Sequence, residues 1–289
     1  MRCTLEIAVE SVADAVAAHT AGADRLELCA ALDVGGLTPS IGMLAEVVRA
    51  AKIPVLAMIR PRPGGFVHSP AELAVMRADI SAALAAGASG VVFGALRPDA
   101  TLDIDACRVM VQQTRAASGA ACNAAHRESA VAAGAPTCVA AQPSLAPRHV
   151  GRDAIQMVFH RAFDLVRNPF QALEQLIELG FTRILTSGGQ PAAVSAPARS
   201  VLKELIARAA GQIEILPAGG IRAENVAELV RSTDCKQVHA ACRAVRGDPS
   251  LPAGTPLAAA FTSPAAPGST RVTAAAAVAA LRRALDELQ

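Results

Sequence analysis

The chain has no tryptophan and no tyrosine, and aromatic residues make up only 2% of it. Single-stranded nucleic acid is held by stacking its bases on aromatic side chains in a basic groove. The chain lacks the rings, and it also lacks a long basic run, its net charge being +2 over 289 residues. Neither a nucleic acid nor an anionic membrane is therefore expected as the main partner. No apolar run reaches the roughly 18 to 20 residues that span a bilayer. The alanine-rich C-terminal stretch is interrupted by Arg282 and Arg283. The opening MRCTLEIAVE has no apolar signal core and no small-residue cleavage site, so a cytoplasmic location is expected. The seven cysteines form no CxxC pair and are odd in number. In a reducing compartment they read as free thiols.

Apolar residues make up 52% and charged residues 18%, the balance of a globular chain. Short apolar runs alternate with longer helical patterns eight times: TLEIA (4–8), RLELC (25–29), VLAMIR (55–60), GVVFGAL (90–96), VFHRAFD (158–164), RILTSGG (183–189), EILPAGGI (214–221) and QVHAA (237–241). Helix starts are marked by Ser69 with Pro70 and Glu72, a capping box, and by Asn168 with Pro169; Gly180 is a stop signal. Repeated strand–helix units imply a parallel sheet. Eight in this length predict a single α/β domain over 1–289, a TIM-type (β/α)8 barrel. The runner-up, an open doubly wound sheet, wants a glycine-rich turn after the first strand, where the chain reads EIAVESV. Two stretches break the rhythm. Residues about 117–154, rich in Ala, Pro and Ser, read as an insertion before strand five, and about 244–272 as a long loop.

In such a barrel the chemistry lies at the C-terminal ends of the strands. Side chains alternate along a strand, so one parity points inward. Leu5 and Ile7 share a face in TLEIA, and Leu26 and Leu28 share one in RLELC. Packing these leucines on outer helices turns Glu6, Glu27 and Cys29 into the barrel. The same parity brings Arg60, His160 and His239 inward. VFHRAFD raises the question directly, since an apolar strand runs straight into His160, Arg161 and Asp164. Ionisable groups inside a cavity are costly unless paired, and cavities that keep them are usually sites.

Two readings of this mouth are open from the residues. In one it is a catalytic site for a small polar or anionic metabolite. Glu6 and Glu27 act as acid/base groups or hard-cation ligands, His160 transfers protons, Arg60 holds a carboxylate or phosphate, and Asp164 stands beside them. Gly219 and Gly220 in AGGIR add backbone N–H groups for an anion at a helix start. In the other it is a structural ion-pair network, with Asp164 capping the following turn and Arg161 pairing outside the barrel. An outer layer this rich in alanine also fits close packing against a second copy of the chain.

The segments ADRLELCAA, GGLTPS, IRPR (59–62), FHRAFD, ILTSGG, GGIRAENV and the VH of strand eight occur in this order over nearly the whole chain. In these the chain resembles the CutC family. The resemblance implies a (β/α)8 barrel, a cytoplasmic location and a connection with copper homeostasis, and it implies no particular reaction. Family members associated with Cu(I) carry a cysteine at the end of strand one and another at the end of strand two. Here Cys29 matches the second, and Ala8 stands at the first. Cu(I) prefers soft thiolates. On this reading Cu(I) binds through Cys29, with Cys242, His239 or His160 as further ligands.

Overall fold

The computed structural model describes residues 2–133, 155–251, 262 and 268–288, with the backbone alone over 120–133. Eight strands alternate with eight helices. They are β1 (Thr4–Val9), α1 (Val12–Thr20), β2 (Arg25–Leu28), α2 (Ile41–Ala51), β3 (Val55–Met58), α3 (Pro70–Ala85), β4 (Gly90–Phe93) and α4 (Ile104–Ala133). The second half has β5 (Gln156–Phe159), α5 (Pro169–Leu179), β6 (Arg183–Thr186), α6 (Ala196–Ala209), β7 (Glu214–Pro217), α7 (Val226–Thr233), β8 (Gln237–Ala240) and α8 (Ala275–Asp286). The sheet runs β7-β6-β5-β4-β3-β2-β1-β8, and every neighbouring pair is parallel. A single bridge between Ala218 and His239 joins the two outermost strands. The fold is a TIM-type barrel, as the repeated units predict.

Alternation along the strands separates two apolar compartments. Leu5, Ile7, Leu26 and Leu28 face the helices and belong to the outer core. Cys29, Leu56, Met58, Val92, Val158, Leu185, Leu216 and Ala218 form a separate cluster inside the barrel. Burying a Leu, Val or Met side chain contributes about 1.5–3 kcal/mol, so the small inner plug holds the strands at a fixed radius. Helix starts follow the sequence signals. Ser69 and Glu72 close a reciprocal capping box on α3. The Asn168 side chain accepts from Phe170 and Gln171 at the start of α5, and Gly180 ends that helix in the left-handed region.

Three features differ from the sequence reading. The strand in VFHRAFD ends at Phe159, and Arg161–Leu165 forms a 3-10 turn capped by the His160 side chain. The segment read as one long loop holds two short strands, β9 (Arg243–Gly247) and β10 (Ser269–Thr273), paired antiparallel as a ribbon beside the mouth. The Asp14 carboxylate in α1 ties the ribbon down by accepting the Thr273 N–H at 2.6 Å. Finally, α4 continues to Ala133, past the expected start of the insertion near 117. Residues 134–154 of that insertion lie outside the described residues.

Candidate functional site at the barrel mouth

Inside the barrel, β1, β2 and β8 carry a polar line. Glu6 lies opposite Arg25 on β2 and opposite His239 on β8 in the strand register. Its two oxygens are divided between them. Arg25 Nε donates to Oε2, and His239 Nδ1 lies 2.8 Å from Oε1. Arg25 Nη2 also donates to Gln237 Oε1 at 2.8 Å. On its other side the His239 ring presents Nε2 to Glu27 Oε2 at 3.8 Å. The Cys29 thiol donates to that same oxygen at 3.6 Å. Glu27 Oε1 is buried without a hydrogen-bond partner among the described residues.

These neighbours set three different protonation states. Burial alone would raise the Glu6 carboxyl, but the Arg25 guanidinium and His239 hold it well below the carboxylate range. Burial raises Glu27; the attraction of His239 opposes this and the nearby Glu6 charge adds to it, and Glu27 ends above its ordinary value. Burial would depress His239, yet Glu27 and Glu6 together push it up. A carboxylate, an imidazole and a protonation-prone carboxyl therefore stand in line. Among the described residues, Glu6, Glu27 and His239 are also the group whose ligand atoms approach within 4.8 Å of one another.

Arg60 and His160 lie on the β3–β5 side. Arg60 Nη1 donates to the carbonyls of Val34 and Gly36 at 2.8 and 3.0 Å, and Nη2 donates to Gly64 O at 2.7 Å. Its Nε has no partner among the described residues. The Phe66 ring lies 5.0 Å from the guanidinium carbon, and the same ring sits 4.7 Å from the His160 ring. His160 Nδ1 accepts the Ala162 N–H at 3.3 Å, and Nε2 is buried with no partner among the described residues. Burial, with Arg60 nearby, lowers His160 to about 3, so the ring is neutral. Gly94 makes room for it, because a Cβ there would stand 2.8 Å from His160 Nδ1.

Between the two sides lies a cavity of about 360 Å³ whose walls include Glu27, His239, Arg60, His160 and Phe66. Asp33, Arg161, Arg243 and Arg271 stand at its rim. Thus Glu27, Arg60, His160 and His239 meet at one cavity, with Glu6 behind His239. Asp164 is elsewhere. Its carboxylate accepts from the Thr186 hydroxyl, the Ser187 N–H and hydroxyl and the Gly189 N–H, and it pairs with Arg161 at 2.8 Å. It fastens the 3-10 turn to the end of β6. Arg161, expected to pair outside the barrel, pairs with Asp164 and borders the cavity. Gly219 and Gly220 lie in the turn after β7 and are not among the cavity walls. Cys29 belongs to the inner cluster, whereas Cys242 packs against the outer core. Burial pushes the Cys242 thiol up to about 11, and burial with Glu27 alongside pushes Cys29 well above the thiol range.

Sequence reasoning missed Phe66, Asp33, Arg243 and Arg271. It also missed Arg25, although the parity that turns Glu27 inward carries Arg25 with it. The ribbon arginines gave no such signal, since their strands pair only with each other.

Fold and site define a TIM-type barrel with a polar, ionisable cavity at the C-terminal ends of its strands. The CutC family model matches residues 3–128 and 148–244. The chain belongs to the CutC family. It is 36% identical over 242 residues to the human "Copper homeostasis protein cutC homolog", covering 84% of this chain and 74% of that protein. It is 36% identical over 249 residues to a CutC protein of Treponema denticola, covering 86% and 85%. Among solved structures, a putative copper homeostasis protein CutC from Streptococcus agalactiae superposes with a TM-score of 0.65 at 29% identity, over 82% of this chain and 97% of that one. A thiamine phosphate pyrophosphorylase from Pyrococcus furiosus shares the barrel at a TM-score of 0.51 and 11% identity, over 99% and 96%.

Proposed function

We propose that the mouth is the active site of an enzyme that moves a proton on a small polar or anionic metabolite. The observation that carries this is the line Glu6–His239–Glu27. Glu6 Oε1 accepts the Nδ1 proton, so the proton that the ring gains or loses is the one on Nε2, which faces Glu27. Glu27, biased toward its protonated form, borders the cavity with His239. The two exchange one proton, and a substrate beside them gives or takes it. His160 is pinned neutral across the cavity, so the proton-transfer role moves from His160 to His239. Arg60 holds substrate charge. Asp164 acts by position, keeping the β6 turn in place. The five free thiols among the described residues fit a reducing cytoplasm.

The test uses proton exchange, which reads the substrate alone, whatever the product. Pools of small hydroxy, keto and carboxylic compounds are incubated with the protein in D2O, and loss of C–H signals is followed by NMR. Exchange that disappears in Glu27→Gln and His239→Asn supports the reading. Exchange in no pool, or exchange unchanged in both variants, overturns it.

A second reading, Cu(I) bound through Cys29, draws on the names of the relatives and on one local feature. Cys29 Sγ and Met58 Cε both lie within 3.5 Å of where a Cβ on Gly36 would stand. A soft thiol and a soft thioether thus adjoin one turn inside the barrel. Ala8 and the outward Cys242 leave no two-thiolate pair there among the described residues. Competitive anaerobic Cu(I) titration beside Cys29→Ala decides it, since binding indifferent to that substitution removes the reading.

A further inference from the structure

The donors on the β3–β5 wall specify more of the ligand than its polarity. A guanidinium has five N–H donors. In Arg60 three of them are taken by the carbonyls of Val34, Gly36 and Gly64. The two that remain are the Nε–H, which is buried and has no partner among the described residues, and one N–H of Nη2. A guanidinium N–H forms a charge-assisted hydrogen bond with a carboxylate oxygen. His160 adds a third donor. Because Nδ1 accepts the Ala162 N–H, the one proton of the neutral ring sits on Nε2, and Nε2 has no partner among the described residues. Both side chains flank the Phe66 ring, both are buried and both border the cavity. A buried donor without an acceptor is costly, so the wall lacks an acceptor that something else must bring.

A census of charge limits what that acceptor is. Arg161 at the rim is answered by Asp164, Arg243 by Glu10 and Asp33, and Arg271 by Asp33. Three arginines thus face three carboxylates. Arg60 has no carboxylate partner among the described residues, because the hydrogen bonds of its guanidinium all go to backbone carbonyls. One positive charge is left over, which suits a monoanion better than a dianionic phosphate ester.

We propose that the mouth binds the carboxylate group of a small monoanionic metabolite, held jointly by the Nε2–H of His160 and the Nε–H of Arg60. This deepens the enzyme reading by naming the charged group of its substrate, and it rests on the mouth being the substrate site. The carboxylate is anchored on the β3–β5 wall, and the remainder of the molecule extends toward Glu27 and His239, where the proton moves.

Imidazole 15N spectra of the full chain test it, with acetate, glycolate and pyruvate as probes and inorganic phosphate and acetamide as controls. The expected result is a saturable shift of the His160 Nε2–H with the carboxylates and none with the controls. His160→Gln, which keeps an N–H donor, should bind within about threefold of the parent. His160→Phe should bind at least about tenfold more weakly, the loss for a hydrogen bond to a charged group. No shift with any carboxylate, an equal or larger shift with phosphate, or unchanged affinity in His160→Phe would overturn the proposal. If His160→Phe does not fold, the wild-type titration decides alone. Binding without D2O exchange would leave this inference standing and remove the proton-transfer reading, so the two fail separately.

Discussion

Glu6 Oε1 and His239 Nδ1 stand 2.8 Å apart across the β1–β8 pairing, both inside the barrel. The same carboxylate takes Arg25 on its other oxygen, so one side chain on β1 secures a partner on each neighbouring strand.

Replacing Glu6 by Gln leaves Arg25 buried without its counter-charge and removes one of the two carboxylates that hold His239 up. Removing one partner of a buried pair typically costs about 3–5 kcal/mol, and chemical denaturation should show a loss of that order. NMR titration should find the His239 pKa lower than in the parent. The sign for Glu6 itself follows from its lowered value. Its stabilisation is present above the ordinary carboxylate range and is lost as pH falls through the folded-state value.

Glu27→Gln should behave in the opposite way. The folded pKa of Glu27 is raised, so the unfolded chain loses that proton first as pH rises. The parent therefore loses stability between the ordinary Glu value and the raised one, and the variant does not. Melting curves should show Glu27→Gln as stable as the parent at acid pH and more stable at neutral pH, with activity gone. A variant equally destabilised at both would contradict the assignment.

Asp164 accepts four hydrogen bonds at the end of β6 and one ion pair. Asp164→Ala should cost about 2–4 kcal/mol, because several donors lose their acceptor and some are buried. Asp164→Asn keeps one oxygen and should lose about half as much. Carboxylate affinity at the mouth should change far less in Asp164→Asn than in His160→Phe, which isothermal titration can compare.

Gly36 has a positive φ of 83°, and a Cβ there would come within 2.9 Å of Cys29 Sγ. Its carbonyl also accepts from Arg60. Gly36→Ala should therefore strain the turn and displace the thiol together, at a cost of about 1–3 kcal/mol. A shift in the Arg60 Nε–H resonance should accompany the fall in melting temperature.

The strand positions were legible because each interior strand is a short apolar run between turn residues. Parity then placed Glu27, Arg60, His160 and His239 on the face they occupy, since a two-residue period leaves only two choices. Parity fails where the strand stops. His160, read as the inward end of its strand, also caps a 3-10 turn with its side chain, and that turn carries Asp164 away from the cavity to β6. The ribbon was illegible for another reason. RAVRG and STRVT are separated by more than twenty residues, and neither has an apolar stripe to mark it. Which imidazole carries the mobile proton also lay beyond the sequence, because it depends on which ring nitrogen meets Glu6 and which meets the Ala162 amide.

The barrel is joined between β7 and β8 by one bridge, Ala218 to His239. The residue at that seam is also the one proposed to carry the proton. A molecule that immobilises the His239 ring would rivet the cylinder shut at its least-stitched joint. Amide hydrogen exchange along β7 and β8 should then slow when the mouth is filled, while β3 and β4, held by continuous ladders, change little. Occupancy would be recorded in the cohesion of the whole cylinder, and a cell that degrades loosened proteins would retain the filled ones longer.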